Sequence, residues 1–222
     1  MTVLQLEVPN VPRDVQLLSA WLEIPSLPSL ISRFLYGHEH SDLDLPLNEI
    51  PLDQCPMFSG DVFLYPSAVA TYYAPSDISG VGGMIRERIR STHRWLNGPA
   101  RRDCVYVEHE PNLAGFRGMY VAQVSAFIKF TYKRTVFPCA IVKWFSAVGD
   151  APCPNTGMWV VQRDSHQHDL IHLDTVVRAA HLIGIAGQST IPREFEPSDS
   201  LNAFKTFYVN KYVDYHAHEI AF

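Results

Sequence analysis

One long alternating stretch constrains the fold of this chain more than any other feature. In Met119–Tyr132, one face collects Tyr120, Ala122, Val124, Ala126, Ile128 and Phe130. A period of two is typical of a strand with one buried face. A polar turn at 133–135 and a second apolar stretch at 136–146 follow, which together predict a long β-hairpin. The chain is therefore expected to have a mainly β fold of the α+β class.

Shorter patterns surround the hairpin. Asp14 can cap a helix, and a second helix is predicted at 28–36. The β-branched and aromatic residues of 62–73 predict strand structure that is interrupted at Pro66. After Pro197, apolar residues recur near helical spacing and predict one C-terminal helix. These residues are Leu201, Phe204, Tyr208, Tyr212 and Tyr215.

The composition sets bounds on the class of protein. Of the 222 residues, 47% are hydrophobic and 18% are charged, so the chain can bury a core without metal or disulfide support. Its four cysteines lie far apart and include no CxxC pair, which indicates reduced thiols. The first residues do not have the pattern of a signal peptide, and no segment has the roughly 18 apolar residues of a membrane span. We therefore expect an intracellular protein with no membrane partner.

The clearest charge anomaly lies at residues 84–102. This segment holds six arginines and a single acid, Glu87, so its net charge is +5 in a chain of net charge −5. As a strand, it would place Arg86, Arg88 and Arg90 on one face. A helix would spread the same residues around its surface, so the strand interpretation is favoured. The segment is therefore predicted to present a row of positive charge.

Three interpretations of this segment stay open. Arginine donates two parallel hydrogen bonds to phosphate, and Trp95 can stack on a base or on an arginine, which favours contact with phosphate or nucleic acid. Acidic residues of positions 1–83 could instead pair with the arginines inside the protein. An acidic protein partner is the third interpretation. The residues predicted to bind nucleic acid are Arg86, Arg88, Arg90, Arg94, Trp95, Arg101 and Arg102.

Zinc binding and catalysis leave weaker patterns. Three imidazoles within seven residues, with Cys153 as a fourth ligand, could form a tetrahedral zinc site, but their spacing matches no standard zinc finger. A polar surface loop is the favoured interpretation of these histidines, which are His166, His168 and His172. The sequence has no GxSxG, HExxH or phosphate-binding-loop motif. Neither a cofactor nor an enzymatic activity is therefore predicted.

An aromatic cage is a further alternative. A methyl-lysine reader needs two or three aromatic faces around a cation. Aromatic residues in or beside the predicted strands could supply such faces, although most are expected to belong to the core. The cage candidates are Tyr106, Tyr120, Trp144 and Trp159.

Short motifs that together carry a family resemblance lie along most of the chain. They include Gly-Pro-Ala-Arg-Arg-Asp-Cys-Val at 98–105 and Pro-Cys-Ala-Ile-Val-Lys-Trp-Phe-Ser at 138–146. The others lie at 34–36, 51–56, 74–80, 115–118, 156–159, 171–174, 199–204, 207–212 and 216–220. On these motifs the chain resembles the C-terminal region of Plavaka-type transposases, fungal relatives of the cut-and-paste CACTA-like elements. The resemblance implies a transposase-derived nuclear protein, with the RNase H-like catalytic core upstream of this region and outside this chain.

A second resemblance concerns the order of the strands. The segments that carry it lie at 118–124, 140–145 and 171–177. They resemble the strands of BAH domains, chromatin-associated modules built on a distorted SH3-like β-barrel. The resemblance implies an SH3/BAH-like barrel at 103–187, wrapped by an N-terminal extension at 1–102 and followed by a C-terminal helical segment at 188–222.

The sequence leads to one functional expectation and one alternative. We expect a non-catalytic module that binds DNA or chromatin through segment 84–102. The alternative is a protein-interaction module without direct nucleic-acid contact, either a histone-tail reader or an oligomerisation domain. The sequence leaves the oligomeric state open.

Overall fold

Thirteen strands and four α-helices make up the described part of the protein. The computed structural model describes residues 1–40, 49–76, 80–164, 167–187 and 194–222. The strands are β1 (Thr2–Leu4), β2 (Val62–Tyr65), β3 (Ser67–Tyr73), β4 (Met84–Thr92), β5 (Arg101–Arg102), β6 (Cys104–Glu108), β7 (Met119–Tyr132), β8 (Thr135–Ala147), β9 (Val160–Arg163), β10 (Asp169–His172), β11 (Val176–Ala180), β12 (Leu182–Gly184) and β13 (Thr206–Val209). The predicted mainly β fold is confirmed, and its largest sheet is nearly closed into a barrel.

The helices lie near the two ends of the chain. α1 (Val15–Leu22) begins after Asp14, whose carboxylate accepts hydrogen bonds from two backbone N–H groups of the first turn, so the predicted cap is confirmed. α2 (Leu27–Glu39) is longer than predicted and buries one stripe, formed by Leu27, Ile31 and Leu35. α3 (Ser200–Ala203) and α4 (Tyr215–Ile220) are short. Within the described ranges, no helix is long and apolar enough to span a membrane.

The strands form two antiparallel sheets. The smaller sheet has the order β1-β3-β4-β5, and the larger one runs β11-β6-β7-β8-β9-β13-β12, with β10 beside β8 and β2 beside β7. Pro66 separates β2 from β3, as predicted, and these two strands enter different sheets. The larger sheet thus takes strands from all three predicted segments of the chain. The division of the chain at 102 and 187 stays a prediction.

The predicted long hairpin is confirmed as β7 and β8. Lys133 and Arg134 at its tip have φ angles of 46° and 68°, the left-handed values that a two-residue type I′ turn requires. β7 separates two hydrophobic cores, one against α1 and α2 and the other against the smaller sheet. A third core lies under the C-terminal segment.

The predicted single apolar face of this hairpin is wrong in one respect. A β-bulge lies between Val124 and Ala126, which leaves Ser125 as an extra residue on β7. Val124 packs between the two sheets, whereas Ala126 and Ile128 pack against the N-terminal helices. Because of the bulge, the apolar residues of this series before position 125 and those after it face different cores.

The predicted C-terminal helix is confirmed as the short helix α4, but its predicted extent is wrong, because β13 interrupts it. Phe207 and Val209 are both fully buried, with one residue between them, which is the period of a strand. β13 pairs with β9 on one side and β12 on the other, so sheet contacts override the helical spacing. A short helix is kept in α4, where Asp214 accepts a hydrogen bond from the Ala217 N–H at 2.7 Å.

Candidate functional site

The first three arginines of segment 84–102 lie on one face of β4. The strand prediction is confirmed: Ile89 is fully buried between the sheets, whereas Arg86 and Arg88 are exposed on the other face. Arg90 follows on the same face and is half-buried. Among the described residues, no ion pair joins Arg86 or Arg88 to a carboxylate. We call Arg86, Arg88 and Arg90 the arginine row.

Glu87, the single acid of this segment, faces away from the row. Its carboxylate accepts hydrogen bonds from the Arg178 guanidinium at 3.4 Å and from the Ala179 N–H at 2.9 Å. Both partners lie on β11 of the larger sheet. Glu87 therefore compensates the charge of Arg178 and not the charges of Arg86 and Arg88.

Trp95 lies beyond the end of the row and contacts two guanidinium groups. The Cζ atoms of Arg90 and Arg101 are 4.5 and 5.4 Å from its ring centroid, within the range of cation–π interactions. The turn that follows the ring has Leu96 and Asn97 in left-handed conformations, with φ angles of 49° and 63°. Trp95 therefore stacks on arginine, one of the two kinds of partner that the sequence indicated.

Asp103 fixes two of the predicted arginines. Arg101 Nε donates to one carboxylate oxygen at 2.8 Å, and the Arg90 backbone N–H donates to the other at 2.8 Å. Burial, followed by the neighbouring charge of Arg101, lowers the pKa of Arg90, and Asp103 opposes this shift. Arg101 is thus paired internally, whereas Arg94 is exposed.

A cleft with a volume of about 1090 Å³ opens beside Trp95. The basic side chains that line it are Arg101, Arg102, Lys143, Arg163 and Lys205. Among the described residues, Asp164 is the one carboxylate in the lining, and it accepts a hydrogen bond from Ser146 Oγ. Trp95 and Phe204 add aromatic rings to the walls. We call this surface the basic cleft.

Three adjacent strands position the inner wall of the basic cleft. Gln123 on β7 lies opposite Lys143 on β8, and Phe145 on β8 lies opposite Arg163 on β9. Arg163 donates to Gln123 Oε1 at 3.0 Å and to the Leu201 carbonyl at 2.9 Å, and its Cζ is 5.0 Å from the Phe145 ring centroid. The Arg163 guanidinium is therefore held in one place by neutral groups.

The positive charges of this wall repel one another. Burial lowers the pKa of Lys143, and the charges of Arg163 and Arg102 lower it further. Burial also lowers the pKa of Arg163. Within the described ranges, Arg102, Lys143 and Arg163 form no ion pair with a carboxylate. The wall therefore concentrates positive charge without a paired counter-charge.

Sequence reasoning missed Lys143, Arg163 and Lys205. Lys143 interrupts an otherwise apolar run at 139–145, and a charged residue inside a buried strand is a signal that could have found it. Arg163 and Lys205 give no comparable local signal. They reach the cleft through the register of β9 and the path of the C-terminal segment.

The four cage candidates lie in different surroundings in the described structure. Tyr106 and Trp159 are 1% and 5% exposed and belong to the third core. Tyr120 and Trp144 meet edge to face, with 5.7 Å between their ring centroids. Tyr120 and Trp159 line a cavity of about 370 Å³, whereas Trp144 lines a different one. Tyr120 and Trp144 thus form one pair of rings, and Tyr106 and Trp159 are core residues.

The zinc candidates are described in part. His166 lies outside the described residues. Burial, followed by the charges of Lys143 and Arg102, lowers the pKa of His168 to about 4. His172 Nδ1 accepts a hydrogen bond from a backbone N–H two residues along the chain at 3.3 Å. In the part of the chain that the structure describes, no group of three His, Cys, Asp or Glu residues is arranged to hold a metal ion.

The arginine row, Trp95 and the basic cleft form one candidate site. They are connected through Trp95, which contacts Arg90 of the row and itself lines the cleft. A surface of this charge attracts anions and raises their local concentration. No protein-family model matches the chain, and a search of curated proteins gives no significant match.

Proposed function

We propose that the protein is a non-catalytic module that binds DNA or chromatin in the nucleus through the arginine row and the basic cleft. The observation that carries this proposal is the lining of the cleft, where five basic side chains meet one carboxylate among the described residues. Phosphate is the natural ligand of such a cluster, because the planar guanidinium donates two hydrogen bonds at once. A chain of net charge −5 that gathers positive charge on one surface is suited to guide a polyanion there.

The predicted arginines have different roles in this proposal. Arg86 and Arg88 are exposed and contact successive phosphates along the nucleic-acid backbone. Arg94 adds charge at the rim. Arg90 and Arg101 hold Trp95 beside the cleft, and Arg101 is already paired with Asp103, so its contribution to binding is the smaller.

The transposase resemblance supports DNA or chromatin as the partner. The region of Plavaka-type transposases that this chain resembles is separate from the RNase H-like core, so the proposal is binding without catalysis. As part of a transposase, such a module would help to hold transposon DNA, target DNA or a chromatin-associated protein.

Charge reversal on the row tests the proposal. In the double variant Arg86→Glu/Arg88→Glu both positions are exposed, so the fold should persist, and binding of labelled DNA at low salt should fall at least about tenfold. The control Arg117→Glu/Arg134→Glu changes the net charge equally at exposed positions outside the row and the cleft. Fluorescence anisotropy measures binding, and circular dichroism checks the fold. Equal losses in the two variants, or no binding by the wild type, would overturn the proposal.

Assembly with another protein is a second candidate function. Tyr212 and Val213 precede α4 and Tyr215 begins it, and their exposed fractions are 60%, 50% and 61%. Exposed apolar side chains that cluster are typical of protein contact surfaces. Light scattering over a concentration series tests this candidate: a rising mass that Tyr215→Glu suppresses would support it. A constant monomer mass would overturn self-assembly.

A further inference from the structure

We infer that the basic cleft receives a single nucleic-acid strand, and that Arg102, Lys143 and Arg163 together hold one of its phosphate groups. This inference rests on the proposed function, because it takes nucleic acid as the ligand. It assigns one phosphate to three named residues of the cleft, and it names the form of the nucleic acid.

The three basic side chains converge around Gln123. Arg102 is on β5, Lys143 is on β8 and Arg163 is on β9, and all three are half-buried in the lining of the cleft. Gln123 Nε2 donates to the Arg102 carbonyl at 3.3 Å, and its Oε1 accepts from Arg163 at 3.0 Å. Lys143 is the strand partner of Gln123. The register of β7, β8 and β9 therefore places Lys143 and Arg163 beside Gln123, and Arg102, from the smaller sheet, lines the same cleft.

An anion would relieve the repulsion among these charges. Arg163 donates to two neutral oxygens, those of the Gln123 amide and the Leu201 carbonyl, which leave its charge uncompensated. Like charges that meet in a half-buried wall destabilise the folded protein. A phosphate group can accept charge-assisted hydrogen bonds from several such donors at once. Binding there would therefore stabilise the protein as well as hold the ligand.

The lining of the cleft favours one strand over two. Its volume of about 1090 Å³ is near that of pockets for small ligands. The bases of a duplex are paired and stacked inside the helix, whereas those of a single strand can lie against side chains of the protein. Trp95 and Phe204 line the same cleft, so the bases of a bound strand would lie beside aromatic rings. Phosphates on basic side chains with bases beside rings are typical of single-strand binding.

Neutral substitutions test the phosphate site. Lys143→Gln and Arg102→Gln remove a charge and keep a polar side chain, and each should weaken binding of a labelled single strand about tenfold, the loss expected for one charge-assisted contact. Lys129→Gln is the matched control, because Lys129 lies on β7 of the same hairpin, outside the cleft, with its Nζ 5.6 Å from the Phe63 ring centroid. This control should bind as the wild type does. Anisotropy gives the affinity, and thermal denaturation checks that each variant is folded.

The outcomes separate this inference from the proposed function. If Arg86→Glu/Arg88→Glu weakens binding but Lys143→Gln and Arg102→Gln do not, the proposed function stands and the phosphate site is overturned. If a duplex binds as tightly as its single strand and depends equally on Lys143, the single-strand assignment is overturned. If inorganic phosphate shifts the NMR signal of the Lys143 side chain but no oligonucleotide binds, both are overturned and an anion site is left.

Discussion

The guanidinium of Arg90 lies over the indole ring of Trp95, with its Cζ atom 4.5 Å from the ring centroid. Arg101 contacts the same ring at 5.4 Å. Two cation–π contacts of this kind predict that Trp95→Leu lowers the free energy of unfolding by about 1–2 kcal/mol. Trp95→Phe keeps an aromatic face and should lose less. Urea denaturation measures both variants, and a leucine variant as stable as the wild type would contradict the contact.

The pair formed by the buried Arg178 and the half-buried Asp214 ties the start of α4 to β11. Arg178 is 2% exposed, and its two terminal nitrogens donate to Asp214 at 2.7 and 2.6 Å. Asp214→Ala removes this bidentate partner of a buried charge, so we expect a loss of about 3 kcal/mol in the free energy of unfolding. The exposed pair of Arg13 and Glu7 provides the control, because Glu7→Ala should cost less than about 1 kcal/mol. Equal losses of unfolding free energy in Asp214→Ala and Glu7→Ala would contradict the larger contribution expected of the pair of Arg178 and Asp214.

Asp214 also determines how stability responds to acid. Burial raises its pKa, but the hydrogen bonds from Arg178 and the Ala217 N–H, with the charge of Arg178, outweigh burial and place the pKa below its usual 3.8. Such a carboxylate stabilises the protein above its unfolded pKa and loses that contribution as the pH falls through the folded value. The difference in unfolding free energy between wild type and Asp214→Asn should therefore stay constant down to about pH 5 and shrink below about pH 4. A difference that persists unchanged into stronger acid would contradict the shift.

Cys153 should be the most reactive of the four free thiols. Hydrogen bonds from the Thr156 hydroxyl and from the backbone at Asn155 and Thr156 lower its pKa to about 7. Burial raises the pKa of Cys104 to about 12 and also raises that of Cys139. Because the thiolate is the reactive form, iodoacetamide at neutral pH should label Cys153 first, and Thr156→Val should slow the labelling. Mass spectrometry identifies the labelled residue, and earlier labelling of Cys104 would argue against this environment.

Sequence patterns predicted the fold where one rule acts over many residues. The hairpin and β4 follow from alternation, and the break at Pro66 follows from the missing N–H of proline. The bulge at Ser125 was not predictable in this way, because one inserted residue changes the face without changing the composition. The spacing of Leu201, Phe204 and Tyr208 predicts a helix because a short apolar segment fits both periods until its sheet partners are known.

The sequence predicted only part of the candidate site, because local patterns do not show which strands are neighbours in the sheet. Arg86 and Arg88 are neighbours on one face of one strand, so local alternation was enough to place them together. Lys143 and Arg163 lie on different strands, and only the register of β8 and β9 brings them to the same cleft. Asp103 directly follows Arg101 and Arg102 in the sequence, and the structure pairs it with Arg101 at 2.8 Å.

The salt dependence of single-strand binding by the wild-type protein tests the central claim most directly. Each phosphate that a basic side chain neutralises adds about 0.7 to the slope of log affinity against log salt concentration for a single strand. The phosphates contacted by Arg86, Arg88 and Arg94, with the one held in the cleft, are four, which predicts a slope of about −3 in anisotropy titrations. Absence of binding at low salt, or an affinity that does not change with salt, would contradict the account.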